Sequence, residues 1–163
     1  MPNSHHLPAL SDVELHSPNR RRALPVAALT FLALSAAVLL AGCTPGQNAA
    51  GAAQSQIGKP YVYGGASPST GFDCSGLTMW AWRRAGKQLP RTAAQQYSAT
   101  YPVSASRLRL GDLAFYQVGG RITHVAMYAG GGTLVHARKP GTLVQRVPVG
   151  WWSTNLVGYR RVP

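Results

Sequence analysis

Between Ala23 and Leu40 the chain carries no charge and is built mostly of Ala, Leu and Val, and this run begins directly after Arg20-Arg21-Arg22. A basic cluster, a short apolar stretch and then the small residues Ala41-Gly42 have the make-up of a secretory signal. The apolar stretch is near the lower limit for a membrane-spanning helix, and Pro25 shortens it further. This feature divides the chain. Whatever folds is built from the part after Gly42, about 120 residues, which is enough for one domain and too few for two. That domain works outside the cytoplasm. An uncleaved anchor with an incidental cysteine is the competing reading, and it leaves the same residues to fold. Asn19-Arg20-Arg21-Arg22 has a weak likeness to a twin-arginine signal.

The end of the run, Leu40-Ala41-Gly42-Cys43, resembles a bacterial lipobox. That likeness implies cleavage before Cys43, a diacylglyceryl group on its sulfur and acylation of the new amino terminus. Several acyl chains on one residue anchor firmly where a single chain binds only marginally. The expected location is the cell envelope, lipid-anchored at Cys43 and facing the periplasm or wall. Thr44 is not the aspartate that retains some lipoproteins at the inner membrane, which favours the outer membrane in a diderm cell. The expected division is a lipoprotein signal over residues 1–42, a lipidated N-terminus and tether over 43–55, and a folded domain over 56–163. Within the tether, Asn48 is a candidate N-cap for a helix running to Ile57, with Gly58 as its stop.

Charge narrows the partners. The chain has 16 Lys+Arg against 4 Asp+Glu, a formal charge of +12. Removing residues 1–42 takes away three arginines, Asp12 and Glu14, and leaves +11. Such a balance favours anionic surroundings such as wall polymers, peptide carboxylates and acidic lipid heads. Nucleic acid is not expected as a partner of an exported chain without a basic-aromatic RNA motif. Apolar residues make up 45% of the sequence, enough for a packed core. Two cysteines exclude a disulfide-framework fold. After Gly42 the only carboxylates are Asp73 and Asp112, so any carboxylate pair must use both.

Two clusters can carry chemistry. In the first, Gly, Pro and Ser at 64–71 mark a loop, and beyond it Cys74, Leu77, Thr78 and Ala81 recur at helical spacing on one face. Asp73 suits the N-cap, Gly86 suits the stop, and Cys74 lands in the first turn, where the helix dipole favours a thiolate. With Cys43 lipidated, Cys74 has no disulfide partner, which makes it either a candidate nucleophile or a buried structural thiol. In the second cluster, His124 and His136 lie six residues either side of Gly130 in two β-rich runs around three glycines. A turn centred on Gly130 sets them opposite each other, with Cβ atoms roughly 5 Å apart, and a bulge shifts them to a diagonal still within reach. They are the only histidines after Gly42. Together these residues supply a thiol, a base and a group to fix the base. Asp112 is an alternative third group, and a metal held by Cys74 and the two histidines is a further alternative lacking an obvious fourth ligand. Trp151, Trp152 and Tyr159 suit a core or groove wall, and Arg91, Arg121 and Arg138 could meet substrate carboxylates, with nothing in the sequence to choose among them.

The segments Gly58-Lys59-Pro60-Tyr61-Val62-Tyr63-Gly64-Gly65, Gly71-Phe72-Asp73-Cys74-Ser75-Gly76-Leu77, Leu89-Pro90-Arg91-Thr92, Gly111-Asp112-Leu113, His124-Val125-Ala126-Met127-Tyr128 and His136-Ala137 resemble, in order, the motifs of the NlpC/p60 family of cell-wall cysteine peptidases. The likeness covers roughly residues 50–160. It implies an α+β, papain-like fold in which the cysteine-bearing helix packs on an antiparallel sheet of five to six strands. It also implies hydrolysis of peptidoglycan stem peptides, between D-Glu and the diamino acid or at the D-Ala cross-link, without a cofactor or metal. By position Cys74 is the nucleophile, His124 the base and His136 the group that orients it. Tyr63 matches a tyrosine near the oxyanion site, and Asp73 and Ser75 flank the nucleophile where relatives meet the substrate's amino end. Alanine at 126 replaces the glycine of many relatives. Strands are expected near 113–117, 122–129, 133–138, 142–147 and 156–161, and Thr92-Ala93-Ala94-Gln95 resembles a capping box. A non-catalytic wall-binding lipoprotein and a thiol acyltransferase or amidase on the same fold are the alternatives. Any activating or adaptor protein is left open.

Overall fold

The computed structural model describes residues 42–163. The export signal expected over residues 1–42 therefore lies outside the described residues, apart from Gly42. The first element corrects an expectation. The helix expected from Asn48 to Ile57 is helix α1 (Pro45–Gln54), which starts three residues before Asn48 and ends three before Ile57. Its cap is Thr44, whose side chain accepts from the Gln47 backbone while the Gln47 side chain accepts from the Thr44 N–H. Pro45 at the first helical position suits a helix start, because its missing N–H would be unpaired there anyway. Ala49, Ala50 and Ala53 recur on one face and are fully buried against α2 (Cys74–Arg84). Small side chains allow this close helix contact, so a composition that suits a linker serves here as packing surface.

A two-stranded hairpin, β1 (Ala66–Ser67) and β2 (Gly71–Phe72), lies in the glycine-rich loop and leads into α2. Asp73 caps α2 as expected, its Oδ1 accepting from Gly76 N–H at 2.7 Å. Leu77, Thr78 and Ala81 are buried on the face that carries Cys74. A short helix, α3 (Ala93–Ser98), opens on the expected Thr92–Gln95 capping box.

The remaining strands form one antiparallel sheet of six: β3 (Tyr101–Val103), β4 (Leu113–Val118), β5 (Arg121–Gly130), β6 (Thr133–His136), β7 (Gln145–Pro148) and β8 (Leu156–Arg161), in the order β3-β8-β4-β5-β6-β7. The chain is thus α+β. Alternation along the strands divides two cores. Leu113, Phe115, Val125, Met127 and Val135 meet the helices on one face. Ala114, Tyr116, Ala126, Leu134 and Tyr159 meet Trp151 and Trp152 on the other.

One close approach fixes the loop against the cysteine helix. Gly65 C=O accepts from Asp73 N–H at 3.0 Å, and a Cβ added at Gly76 would lie 2.0 Å from that same oxygen. Backbone cannot yield as a flexible side chain can. Gly76→Ala is expected to cost about 1–3 kcal/mol through overpacking, read as a lowered denaturation midpoint with the helix content retained.

Candidate active site

Cys74 occupies the first turn of α2, half-buried, with the backbone N–H groups of Val125 and of its neighbour Ser75 directed so as to favour its thiolate. Val125 directly follows His124 on β5, so the thiol lies beside the strand that carries the imidazole. Burial pushes the thiol up from its ordinary range and Asp73 adds to the rise, while the two N–H donors oppose it.

His124 and His136 meet on the Trp-covered face of the sheet. The hairpin register is Met127↔Val135, with a bulge between Tyr128 and Gly130. The turn lies at Gly131-Gly132 rather than on Gly130, and past the bulge the register carries His136 opposite Ala126, which leaves His124 and His136 in the diagonal arrangement. Diagonal positions are within reach of long side chains, and His124 Nε2 lies 3.0 Å from His136 Nδ1. Both rings are buried, His136 completely. Trp151 packs edge-on to His136 with centroids 4.4 Å apart, and Tyr116, Trp151 and Trp152 all lie against His124. Trp152 takes a left-handed backbone conformation, φ 54°. A residue with a side chain pays about 1–2 kcal/mol for that shape, and here it seats two indoles over one histidine pair. The Arg138 guanidinium lies over both indoles. Burial, then the neighbouring His136 and Arg138, lower the His124 imidazole to about 3. Burial and Arg138 lower His136 to about 4. The resting pair is therefore neutral at pH 7. Among the described residues no hydrogen bond joins the thiol to His124, whose ring partner is His136. Such contacts commonly close only when substrate is bound.

A cleft of about 410 Å³ opens beside Cys74, lined among others by Tyr61, Tyr63, Asp73, Ser75 and Arg91. Asp73 has three tasks. Besides capping α2, it accepts from Gly64 N–H at 3.0 Å and forms a two-pronged pair with Arg91, Nη1 to Oδ1 at 3.0 Å and Nη2 to Oδ2 at 2.6 Å. Arg91 Nη1 also donates to Ser75 Oγ at 3.1 Å. The loop that carries Arg91 is held by the fully buried Gln96, which donates to Ser75 C=O and Pro90 C=O.

The structure thus brings Asp73 and Ser75 to the cleft with Cys74 and buries the two histidines together behind it. Tyr63 departs from expectation. It stands at the cleft mouth 88% exposed, whereas Tyr61 is the tyrosine whose hydroxyl is raised by burial and by the nearby thiol. Asp112 is not a third group for the base. It is buried and its oxygens are taken by Arg161, at 2.7 Å each, and by Arg109 N–H. Sequence did not single out Tyr61, nor Arg91 among so many arginines. The usable signal was charge scarcity, because a buried cap aspartate requires a counter-ion and the Leu89-Pro90 turn brings one back. Cys43 is exposed, one residue before the α1 cap.

The model of the NlpC/P60 family matches residues 58–161. The bifunctional muramidase/DL-endopeptidase CwlT of Bacillus subtilis is 41% identical over 108 residues, 64% of this chain and 33% of that protein. The murein DD-endopeptidase MepH of Escherichia coli is 42% identical over 114 residues, 66% of this chain and 42% of that protein. The chain therefore spans less than half the length of these curated relatives. Among solved structures, the NlpC/p60 domain of the peptidoglycan hydrolase SagA is 36% identical with a TM-score of 0.63, covering 72% of this chain and 98% of that one.

The buried histidines make stability depend on pH. The unfolded chain takes up protons below pH 6.5, and the folded state refuses them until about 4 and about 3. Stability is thus present above pH 6.5 and is lost as pH falls, by up to about 1.4 kcal/mol per pH unit for each histidine. Thermal unfolding between pH 7 and 4 is expected to show this slope, and Trp151→Ala, which opens the cover, should flatten it.

Proposed function

The chain belongs to the NlpC/P60 family, and from that membership we propose that it is a peptidoglycan endopeptidase that cuts a stem-peptide or cross-link bond by thiol catalysis. The observation that carries this reading is the placement of Cys74 in the first turn of α2, beside the strand that carries His124, at the edge of an open cleft. In the proposed mechanism His124 Nδ1, the ring nitrogen left free by His136, takes the proton of Cys74, and the thiolate attacks the scissile carbonyl. The Cys74 backbone N–H and a tyrosine hydroxyl hold the developing oxyanion, a donor of this kind contributing about 3 kcal/mol. Tyr61 suits that place better than Tyr63, being nearer the thiol and less solvated. His124 then gives its proton to the leaving amine, and water releases the acyl group. Asp73, Ser75, Tyr63 and Arg91 are the residues available to the rest of the peptide.

The DL and DD descriptors in the names of CwlT and MepH leave both the D-Glu–diamino acid and the D-Ala–diamino acid bonds as candidates. We also propose that Cys43 is lipidated. Because α1 begins two residues later and is packed, such an anchor would hold the domain close to the membrane rather than on a tether.

Incubating the chain with defined stem peptides and cross-linked dimers, and reading products by mass spectrometry, tests the activity. Cleavage is expected at one of the two bonds, with Cys74→Ala reducing it at least about 1,000-fold. Equal cleavage by the Cys74→Ala chain would remove the thiol mechanism.

A further inference from the structure

Gln145 is a residue that neither the family motifs nor the cleft absorbs. It opens β7 and is the direct register partner of His136 across the β6–β7 ladder, so the two side chains stand on the same face of the sheet. Its amide nitrogen lies 3.4 Å from His136 Nε2, the ring nitrogen on the side away from His124. The amide therefore sits at the far end of a line of three groups, His124, His136 and Gln145.

The protons along that line are not independent. His124 Nε2 faces His136 Nδ1 at 3.0 Å, so only Nδ1 of His124 is left to act as a base. For Nδ1 to be unprotonated in a neutral ring, the proton must sit on Nε2 and be donated to His136 Nδ1. His136, also neutral, must then carry its own proton on Nε2. That N–H needs an acceptor, and a primary amide supplies one when its oxygen faces the ring. The structure places the amide nitrogen there, and the arrangement that lets His124 act as a base takes a half turn about the last torsion of Gln145, which brings the oxygen to the same point. With nitrogen facing His136, the amide N–H requires an unprotonated Nε2. His136 then donates from Nδ1, and His124 holds its proton on Nδ1, where it cannot accept one from the thiol.

We infer that Gln145 is a positioning residue which, through His136, selects the tautomer in which His124 can act as a base. This rests on the peptidase reading for its catalytic meaning, but its structural content does not. Among the described residues Tyr116 and Arg138 are the other titratable or charged groups beside the histidine pair, and neither is hydrogen-bonded to His136 Nε2.

The test uses four forms of the full chain: wild type, Gln145→Glu, Gln145→Leu and Gln145→Lys. Glutamate can only accept, leucine does neither, and lysine can only donate. Gln145 is exposed, so unfolding temperatures should be alike. The expected order of kcat is Glu close to wild type, then Leu, then Lys, with Lys lower by about 10- to 100-fold and KM little changed. Nitrogen NMR of chain labelled at histidine supplies a readout that needs no substrate. It should show the proton of His136 on Nε2 in wild type and the Glu variant, and on Nδ1 in the Lys variant. A charge effect alone would slow the Lys variant without moving that proton. An Nδ1 proton on His136 in wild type, or the same tautomer in wild type and Lys variants, would overturn the inference. If wild type cleaves no stem peptide, the peptidase reading falls, and the tautomers decide the role of Gln145 by themselves.

Discussion

The 3.0 Å contact between His124 Nε2 and His136 Nδ1 is the interaction on which the rest of the site depends. It needs two neighbouring strands in a bulged register, because the pairing of Gly130 with Thr133, continued without the bulge, would set His124 opposite Lys139 and turn His136 to the other face of the sheet. It also needs dryness. Two adjacent imidazoles in water would each titrate near neutral pH, and a protonated partner could not accept a proton from the thiol. Tyr116, Trp151 and Trp152 exclude water from one face of the sheet, and the apolar core beneath α2 packs the other. The left-handed backbone at Trp152 belongs to the same arrangement, since strain of this kind persists only where surrounding packing over-determines it.

A second constraint is the scarcity of negative charge. The described residues hold two carboxylates, Asp73 and Asp112, and each is clamped by an arginine. Asp112 with Arg161 joins the turn before β4 to β8 and has no part in the chemistry. Asp73 joins the loop at Gly64, the start of α2 and the Arg91 segment around the nucleophile. One side chain therefore aligns three segments that are far apart in sequence.

Local signals carried much of this fold. The α2 face, the Asp73 cap, the Thr92–Gln95 capping box and the strands at 113–118, 121–130 and 156–161 follow from periodicity and capping chemistry. What was not legible depended on tertiary contact. The alanine-rich segment 45–54 has the composition of a linker, and only the opposing surface of α2 makes it a packed helix. β3 is three residues long and is held by its pairing to β8. At the site, Cys74, His124 and His136 stood out through rarity, one of two cysteines and the two histidines that follow Gly42. Tyr61, Arg91 and Gln145 belong to common residue types whose roles come from distant partners. Tyr63 shows the reverse, a motif position whose side chain ends in solvent.

The central claim is that burial keeps the resting thiol and the histidine pair neutral, so that the thiolate forms only as His124 takes the proton. The most direct measurement is the rate of alkylation of Cys74 by iodoacetamide as a function of pH, read by mass spectrometry of the Cys74 peptide. A neutral pair predicts a rate that is low at pH 5–7 and climbs through the alkaline range. A rate already high and level from pH 5 upward would mean a preformed thiolate–imidazolium pair and would contradict the account.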